Sequence, residues 1–216
     1  MGYIISEDGI RLDPGKVREV REWEPPETAY DIRSFLGLCQ AYSSHIKNFA
    51  HIAAPLSDLL KGVKTRRQRM VLTEAATRVF EALKVAVTEA PCLVLASWDE
   101  PFEVWTDASN IAIGAVLQQH SHPVAFLSRK LNSAEKNYSV YDKELLSVIN
   151  ALKHWKHFVY GREFVVRTDH QALRWLQSMP SANWSDRQAR WSQYFEQFGG
   201  MIEYIPGKAN PVLQMH

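Results

Sequence analysis

The 216-residue sequence predicts an α/β protein, a mixed five-stranded sheet with flanking helices, preceded by a mostly helical segment. Three observations predict it. Before residue 98 apolar residues recur at helical spacing, whereas from Phe102 they form short runs separated by turn residues. Two of those runs end alike, Val104-Trp105-Thr106-Asp107 and Val166-Arg167-Thr168-Asp169, on either side of a long helical pattern. Two compact units, residues 1–98 and 99–216, are therefore expected.

Tyr3 to Ser6 reads as a strand entering the turn Glu7-Asp8-Gly9, with Ile10 to Leu12 as its return. An isolated hairpin is marginal, so this pair looks like part of a larger sheet. Asp13-Pro14, a cap with proline at the first helical position, opens a helix from Lys16 to Trp23 that Pro25-Pro26 must end. A second helix is expected from about Thr28 to Tyr42 on Ile32, Phe35, Leu36 and Leu38, and a third on Ile52, Leu56, Leu59 and Leu60. After the basic run Lys61, Lys64, Arg66, Arg67 and Arg69, Thr73 caps a helix through Val79, Phe80, Leu83 and Val87, stopped before Pro91.

Strands are expected at Phe102–Asp107, Ala112–Gln118 and Val124–Ser128. One long helix follows, because Tyr141, Leu145, Val148, Leu152, Trp155 and Val159 recur with spacings of four and three and Gly161 lies just past its end. Phe164–Asp169 is the next strand, Gln171–Gln177 a short helix, Asp186–Phe198 another, and Met201–Ile205 a last strand. A strand reached across a helix returns parallel to an earlier one by a right-handed crossover.

Composition bounds the function. With 46% hydrophobic and 23% charged residues the chain is not of a disordered type, and 25 basic against 24 acidic residues leave a net charge of +1. No global field attracts a polyanion, so nucleic-acid contacts must come from local patches. No apolar run approaches the ~20 residues that cross a bilayer, which implies an intracellular, soluble protein without a secretory signal. Cys39 and Cys92 match no metal spacing and read as small buried hydrophobes of a reducing compartment.

If the two Thr-Asp strands lie parallel, Asp107 and Asp169 meet at one sheet edge, where open α/β sheets place ligands. Glu144 lies about 60° round the helix from the centre of its apolar stripe and points along the helix–sheet seam. Three converging carboxylates repel one another unless a cation neutralises them, and hard oxygen donors suit Mg²⁺ or Mn²⁺. Singly, each acid also fits a plainer role, the aspartates as turn or cap residues and Glu144 as a solvated helix residue near Lys143.

The stretches Thr106-Asp107-Ala108-Ser109, Ile113-Gly114-Ala115-Val116-Leu117, Pro123 to Leu131, Glu135-Lys136-Asn137-Tyr138, Lys143-Glu144-Leu145-Leu146 and Arg167-Thr168-Asp169-His170-Gln171 together resemble the ribonuclease H domain of Ty3/gypsy-type long-terminal-repeat retrotransposons. Upstream, Arg33-Ser34-Phe35-Leu36-Gly37-Leu38, Ile46-Lys47-Asn48-Phe49 and Ala53-Ala54-Pro55-Leu56 are similar to the region joining the polymerase palm to that domain. The resemblance implies that residues 1–98 are the end of a reverse transcriptase palm with its helical thumb or linker, and that 99–216 have a ribonuclease H-like fold. It implies a metal-dependent endonuclease that cuts the RNA strand of RNA–DNA hybrids within a reverse transcriptase polyprotein. Asp107, Glu144 and Asp169 then match three of four metal-binding acids of a two-ion Mg²⁺ or Mn²⁺ site.

After Tyr204 to Asn210 the family continues to a fourth aspartate at the start of a final helix, and the ungapped reading places Gln214 there, leaving the site one acid short and the final helix missing. An amide is a poorer ligand for a hard dication. His216 has no partner at metal spacing and takes no role. The polymerase's paired aspartates do not occur upstream, so DNA synthesis is not expected of this chain. By the resemblance Ser109 and Gln171 flank the acids where relatives touch the hybrid, and a donor there distinguishes the 2′-hydroxyl of RNA. Lys64, Arg66 and Arg67, in a run of five basic residues in nine, are candidate phosphate contacts, though such runs are often solvated loops. Arg187 and Arg190 share a helix with Trp191, Tyr194 and Phe195, which read as core rather than as a stacking platform.

Two other functions compete. One is a catalytically impaired module that binds nucleic acid or a partner without cutting. The other is an integrase-type domain, disfavoured because Glu144 precedes the fourth strand of the sheet instead of following it.

Overall fold

The computed structural model describes residues 2–176, 184–210 and 212, which fall into two units, Met1–Leu95 and Ala96–His216. The first unit begins with the antiparallel hairpin β1 (Tyr3–Ser6) and β2 (Gly9–Leu12). Ile10 is tied to Leu93 by two backbone hydrogen bonds of 2.7 and 2.9 Å. Gly9, at φ 130°, makes this approach possible, since a Cβ there would collide with the Leu93 carbonyl.

Four helices follow, and their ends are set by local chemistry. In α1 (Pro14–Arg21) the Asp13 carboxylate accepts from the Gly15 N–H at 2.7 Å. In α2 (Ala29–Ala41) Thr28 and Asp31 form a reciprocal capping box. The remaining two are α3 (Phe49–Leu59) and α4 (Glu74–Thr88), the latter capped by Thr73. Their apolar stripes meet in one core around Val20, Ile32, Phe35, Leu56, Phe80 and Leu83, with the Phe35 and Phe80 rings 4.5 Å apart. Cys39 is buried there, but Cys92 is only half-buried, because its segment runs along the unit surface beside the Asp8 carbonyl.

The basic segment after α3 docks on the start of α2 through its backbone. The Ala29 N–H donates to the Gln68 carbonyl at 3.0 Å and the Tyr30 N–H to the Arg66 carbonyl at 2.9 Å, which satisfies two donors that a helix start leaves free. The side chains of Lys64, Arg66 and Arg67 remain exposed.

The second unit is a mixed five-stranded sheet with helices. Its strands are β3 (Phe102–Ala108), β4 (Ala112–Gln119), β5 (His122–Lys130), β6 (Phe164–Thr168) and β7 (Met201–Tyr204), in spatial order β5-β4-β3-β6-β7. The β3–β4 and β4–β5 pairs are antiparallel, while β3–β6 and β6–β7 are parallel. Phe102, Val104 and Thr106 alternate onto the buried face, against α5 (Val140–His154). That helix buries Leu145, Val148, Ile149 and Leu152. Helix α7 (Asp186–Glu196) carries its own capping box, Ser185 with Gln188, and buries Phe195.

Two further details depart from the sequence expectation. The long helix is not continuous to Val159: it stops at His154, and a separate turn, α6 (Lys156–Val159), follows the wholly buried Trp155. The Phe158 N–H returns three residues, to the Trp155 carbonyl at 2.8 Å, so the chain tightens there and both Trp155 and Val159 face the core. The segment after β6 is a tight 3₁₀ turn at Gln171–Trp175. Among the described residues no helix is long and apolar enough to cross a membrane.

Candidate metal centre

Parallel pairing of β3 with β6 carries the repeated strand pattern into alignment, Val104 opposite Val166 and Trp105 opposite Arg167. Asp107 and Asp169 therefore leave the same end of the sheet side by side. Glu144, in the second turn of α5, reaches them across the seam. One carboxylate oxygen from each of Asp107, Glu144 and Asp169 lies within 4.8 Å of the others.

The electrostatics are strained. Glu144 is 5% exposed, and its Oε2 atom has no hydrogen-bond partner. Burial, then the negative charges of Asp107 and Asp169, push its carboxyl up to about 9, against a lowering hydrogen bond from the Ala108 backbone. Without a cation, Glu144 keeps its proton at neutral pH. Three hard oxygen donors, one of them buried and unpartnered, are the donor set that a divalent cation such as Mg²⁺ or Mn²⁺ satisfies.

The start of α5 is fixed from several sides. Ser139 caps it, accepting from the Asp142 N–H at 3.1 Å. The buried Asp142 carboxylate accepts from Arg187 Nη2 at 2.7 Å and Gln188 Nε2 at 2.8 Å, both on α7. The Arg187 guanidinium lies 3.9 Å from the centre of the Tyr138 ring. Lys143 donates from Nζ to Asn110 Oδ1 at 2.9 Å, on the β3–β4 turn. Below these contacts Ile113, Leu131 and Leu146 form a small core with Ala108, Tyr138 and Trp191.

The other sequence candidates are placed differently. Ser109 Oγ donates to the Ala112 carbonyl at 2.9 Å and accepts from the Ile111 and Ala112 N–H groups, so its hydroxyl proton is engaged in closing the turn. Gln171 is exposed at the start of the 3₁₀ turn, two residues after Asp169. Lys64, Arg66 and Arg67 belong to the first unit. Gln214 and His216 lie outside the described residues.

Two polar groups beside the acids were not singled out from the sequence. His170 follows Asp169, its ring edge-on to Tyr141 at 5.8 Å, with Nδ1 buried and unpartnered. Lys143, named in the sequence only as a neighbour of Glu144, is 7% exposed, and Glu144 itself is buried rather than solvated. The available signal for Lys143 was its position: a cation in the first turn opposes the helix dipole and needs a partner.

Residues 97–198 match the family described as the RNase H-like domain found in reverse transcriptase. The chain is 41% identical over 215 residues to the retrovirus-related Pol polyprotein from transposon 297 of Drosophila melanogaster, covering 98% of this chain and 20% of that protein. It is 36% identical over 219 residues to the corresponding polyprotein from transposon gypsy of the same organism, covering 97% and 21%. It is 33% identical to the transposon Tf2-3 polyprotein of Schizosaccharomyces pombe, covering 98% and 16%. The chain thus spans 16–21% of the length of these relatives. Among solved structures, the foamy viral protease-reverse transcriptase in complex with RNA/DNA hybrid matches with a TM-score of 0.82 at 22% identity, over 100% of this chain and 30% of that one. The dRH form of that protein in complex with double-stranded DNA matches with a TM-score of 0.81 at 21% identity, over 95% and 37%. These two likenesses establish the ribonuclease H-like fold of the sheet unit.

Proposed function

Because the chain belongs, through residues 97–198, to the RNase H-like domains of Ty3/gypsy-type reverse transcriptases, we propose that it is a metal-dependent endonuclease acting on the RNA strand of RNA–DNA hybrids. The observation that carries the reading is the convergence of Asp107, Glu144 and Asp169, with the Glu144 carboxyl buried and lacking a partner. In this proposal the three carboxylates hold Mg²⁺ or Mn²⁺. Bound there, the cations lower the pKa of water and offset the charge that develops on phosphate and leaving oxygens.

The remaining work falls to side chains of this chain. Asp107 and Asp169, half-buried, face the open end of the sheet where a phosphodiester can approach, and Glu144 supplies the enclosed wall. To hold a cation the Glu144 carboxyl would have to be ionised, its proton released to water, so occupancy and pH would be linked. Gln171 is free to donate towards a 2′-hydroxyl, whereas Ser109 acts by shaping the turn after Asp107. Lys64, Arg66 and Arg67 supply phosphate contacts from a loop whose backbone is already fixed.

We read residues 1–98 as the end of the polymerase palm with its thumb or linker region, and 99–216 as the nuclease, both working as part of a longer polyprotein. The test is cleavage of a labelled RNA–DNA hybrid in Mg²⁺ and in Mn²⁺, with activity lost in Asp107→Asn. Absence of cleavage in both metals defeats the proposal. A second reading is a module of the same fold that binds without cutting, favoured by the amide that the ungapped alignment of motifs puts at position 214. It predicts hybrid binding that weakens with salt but is indifferent to metal.

A further inference from the structure

The three carboxylates arrive from three different elements, so their spacing depends on whatever fixes the β3–β4 turn against α5. Asp107 sits near the end of β3, and the turn Ser109-Asn110-Ile111 follows at once. Within the turn, Ser109 Oγ makes three hydrogen bonds, which make it a stiff unit with little internal slack. A stiff turn transmits a displacement at its tip back to the strand end.

Two consecutive residues of α5 reach this unit. Glu144 takes a hydrogen bond from the backbone of Ala108, and Lys143 donates to Asn110 Oδ1 at 2.9 Å. The lysine is in an unfavourable position on two counts. It is a cation in the first turn of a helix, at the positive end of the helix dipole, and it is 7% exposed. Its Asn110 partner is neutral and exposed, so the bond offers little electrostatic return.

We propose that Lys143 and Asn110 are positioning residues, a tether that holds the β3–β4 turn against α5 and so sets the distance between the Asp107 and Glu144 carboxylates for cation binding. This rests on the metal-centre reading above. Groups that orient metal ligands from behind typically change affinity by about 10- to 100-fold when removed. A pure charge effect has the opposite sign for Lys143: removing an ammonium beside a cation site strengthens cation binding. Asn110→Ala changes no charge, so it separates the two effects.

The experiment is Mn²⁺ titration of the whole chain, followed by loss of the free-ion electron paramagnetic resonance signal, for wild type, Lys143→Met, Asn110→Ala and the double variant. Circular dichroism at the titration temperature checks that each is folded, and Asn110→Ala, at an exposed site, is expected to fold. The tether predicts that each single variant weakens Mn²⁺ binding about tenfold. It also predicts that the double variant is no weaker than either single one, because both remove the same bond. Unchanged affinity in Asn110→Ala, tighter binding in Lys143→Met, or losses that multiply in the double variant each overturn it. If wild type itself binds no Mn²⁺, the metal-centre reading has failed, and that result is distinct from the other three.

Discussion

In the helical unit the ion pairs run along exposed helix surfaces, Lys16 with Glu19 at 2.7 Å, Lys61 with Asp58 at 2.7 Å and Arg78 with Glu74 at 2.6 Å. In the sheet unit three consecutive charged residues, Asp142, Lys143 and Glu144, are all less than 9% exposed. Among the described residues of the first unit no Asp, Glu, Lys or Arg is buried. One unit keeps its charge in water and relies on apolar packing. The other takes charge out of water at one end of its sheet and must compensate each group separately, Asp142 by Arg187 and Gln188, Lys143 by Asn110, and Glu144 by a proton or a cation. The difference sets the proposed site apart from the rest of the molecule: buried charge is costly, and here it is concentrated at the end of the sheet where the three acids converge.

The contrast can be broken most forcefully in the helical unit. Phe80→Ala removes a wholly buried ring from contact with Phe35 and is expected to cost roughly 3–5 kcal/mol in urea denaturation. A loss below about 1 kcal/mol would show that this core carries less than its packing suggests.

Next in size is the pH dependence of the metal-free sheet unit. Glu144 has a folded value of about 9, above its ordinary 4.5. Through that interval the unfolded chain has released a proton that the folded chain retains. The contribution is therefore complete below about pH 4.5 and is lost as pH rises towards 9, on the order of a few kcal/mol. Melting in a chelating buffer is expected to fall over this range, and Asp107→Asn, which removes one of the repelling charges, is expected to flatten the fall. A melting temperature flat with pH in wild type removes the basis for the strain described at Glu144.

Asp142→Ala comes third. It leaves Arg187 without its carboxylate, and because the guanidinium is partly open to solvent the loss is expected near 2 kcal/mol rather than the full value for a buried pair. Lys16→Ala, on the surface of the helical unit, is expected to cost no more than about 0.5 kcal/mol. Equal losses in these two variants would erase the distinction between the units.

Much of this was legible from residue order. The repeated Thr-Asp endings imply their own alignment once β3 and β6 are parallel, and Glu144 at the flank of an apolar stripe had to face the seam. Caps at Asp13, Thr28 and Thr73 were readable because a short polar side chain before an apolar pattern has one obvious use. The break at Trp155 was not, since its apolar spacing fits a continuous helix and only tertiary burial decides otherwise. The place of the β4–β5 turn was expected but its backbone type was hidden: His120 and Ser121 both take positive φ, 51° and 65°, at positions where asparagine or glycine is the usual sign. The Lys143 contact escaped for a third reason, because its partner Asn110 lies on the β3–β4 turn, 33 residues away, and sequence spacing says nothing of that contact.

The parallel pairing of β3 with β6 has a consequence for assembly. Asp107 and Asp169 become neighbours only after β4, β5, α5 and α6 have been laid between them, so no short fragment of the nascent chain can present the acid triad. Long-range strand pairing of this kind is slow to form. On the metal-centre reading proposed above, an ion held by all three acids would therefore certify completed topology, because a chain released before β6 lacks Asp169.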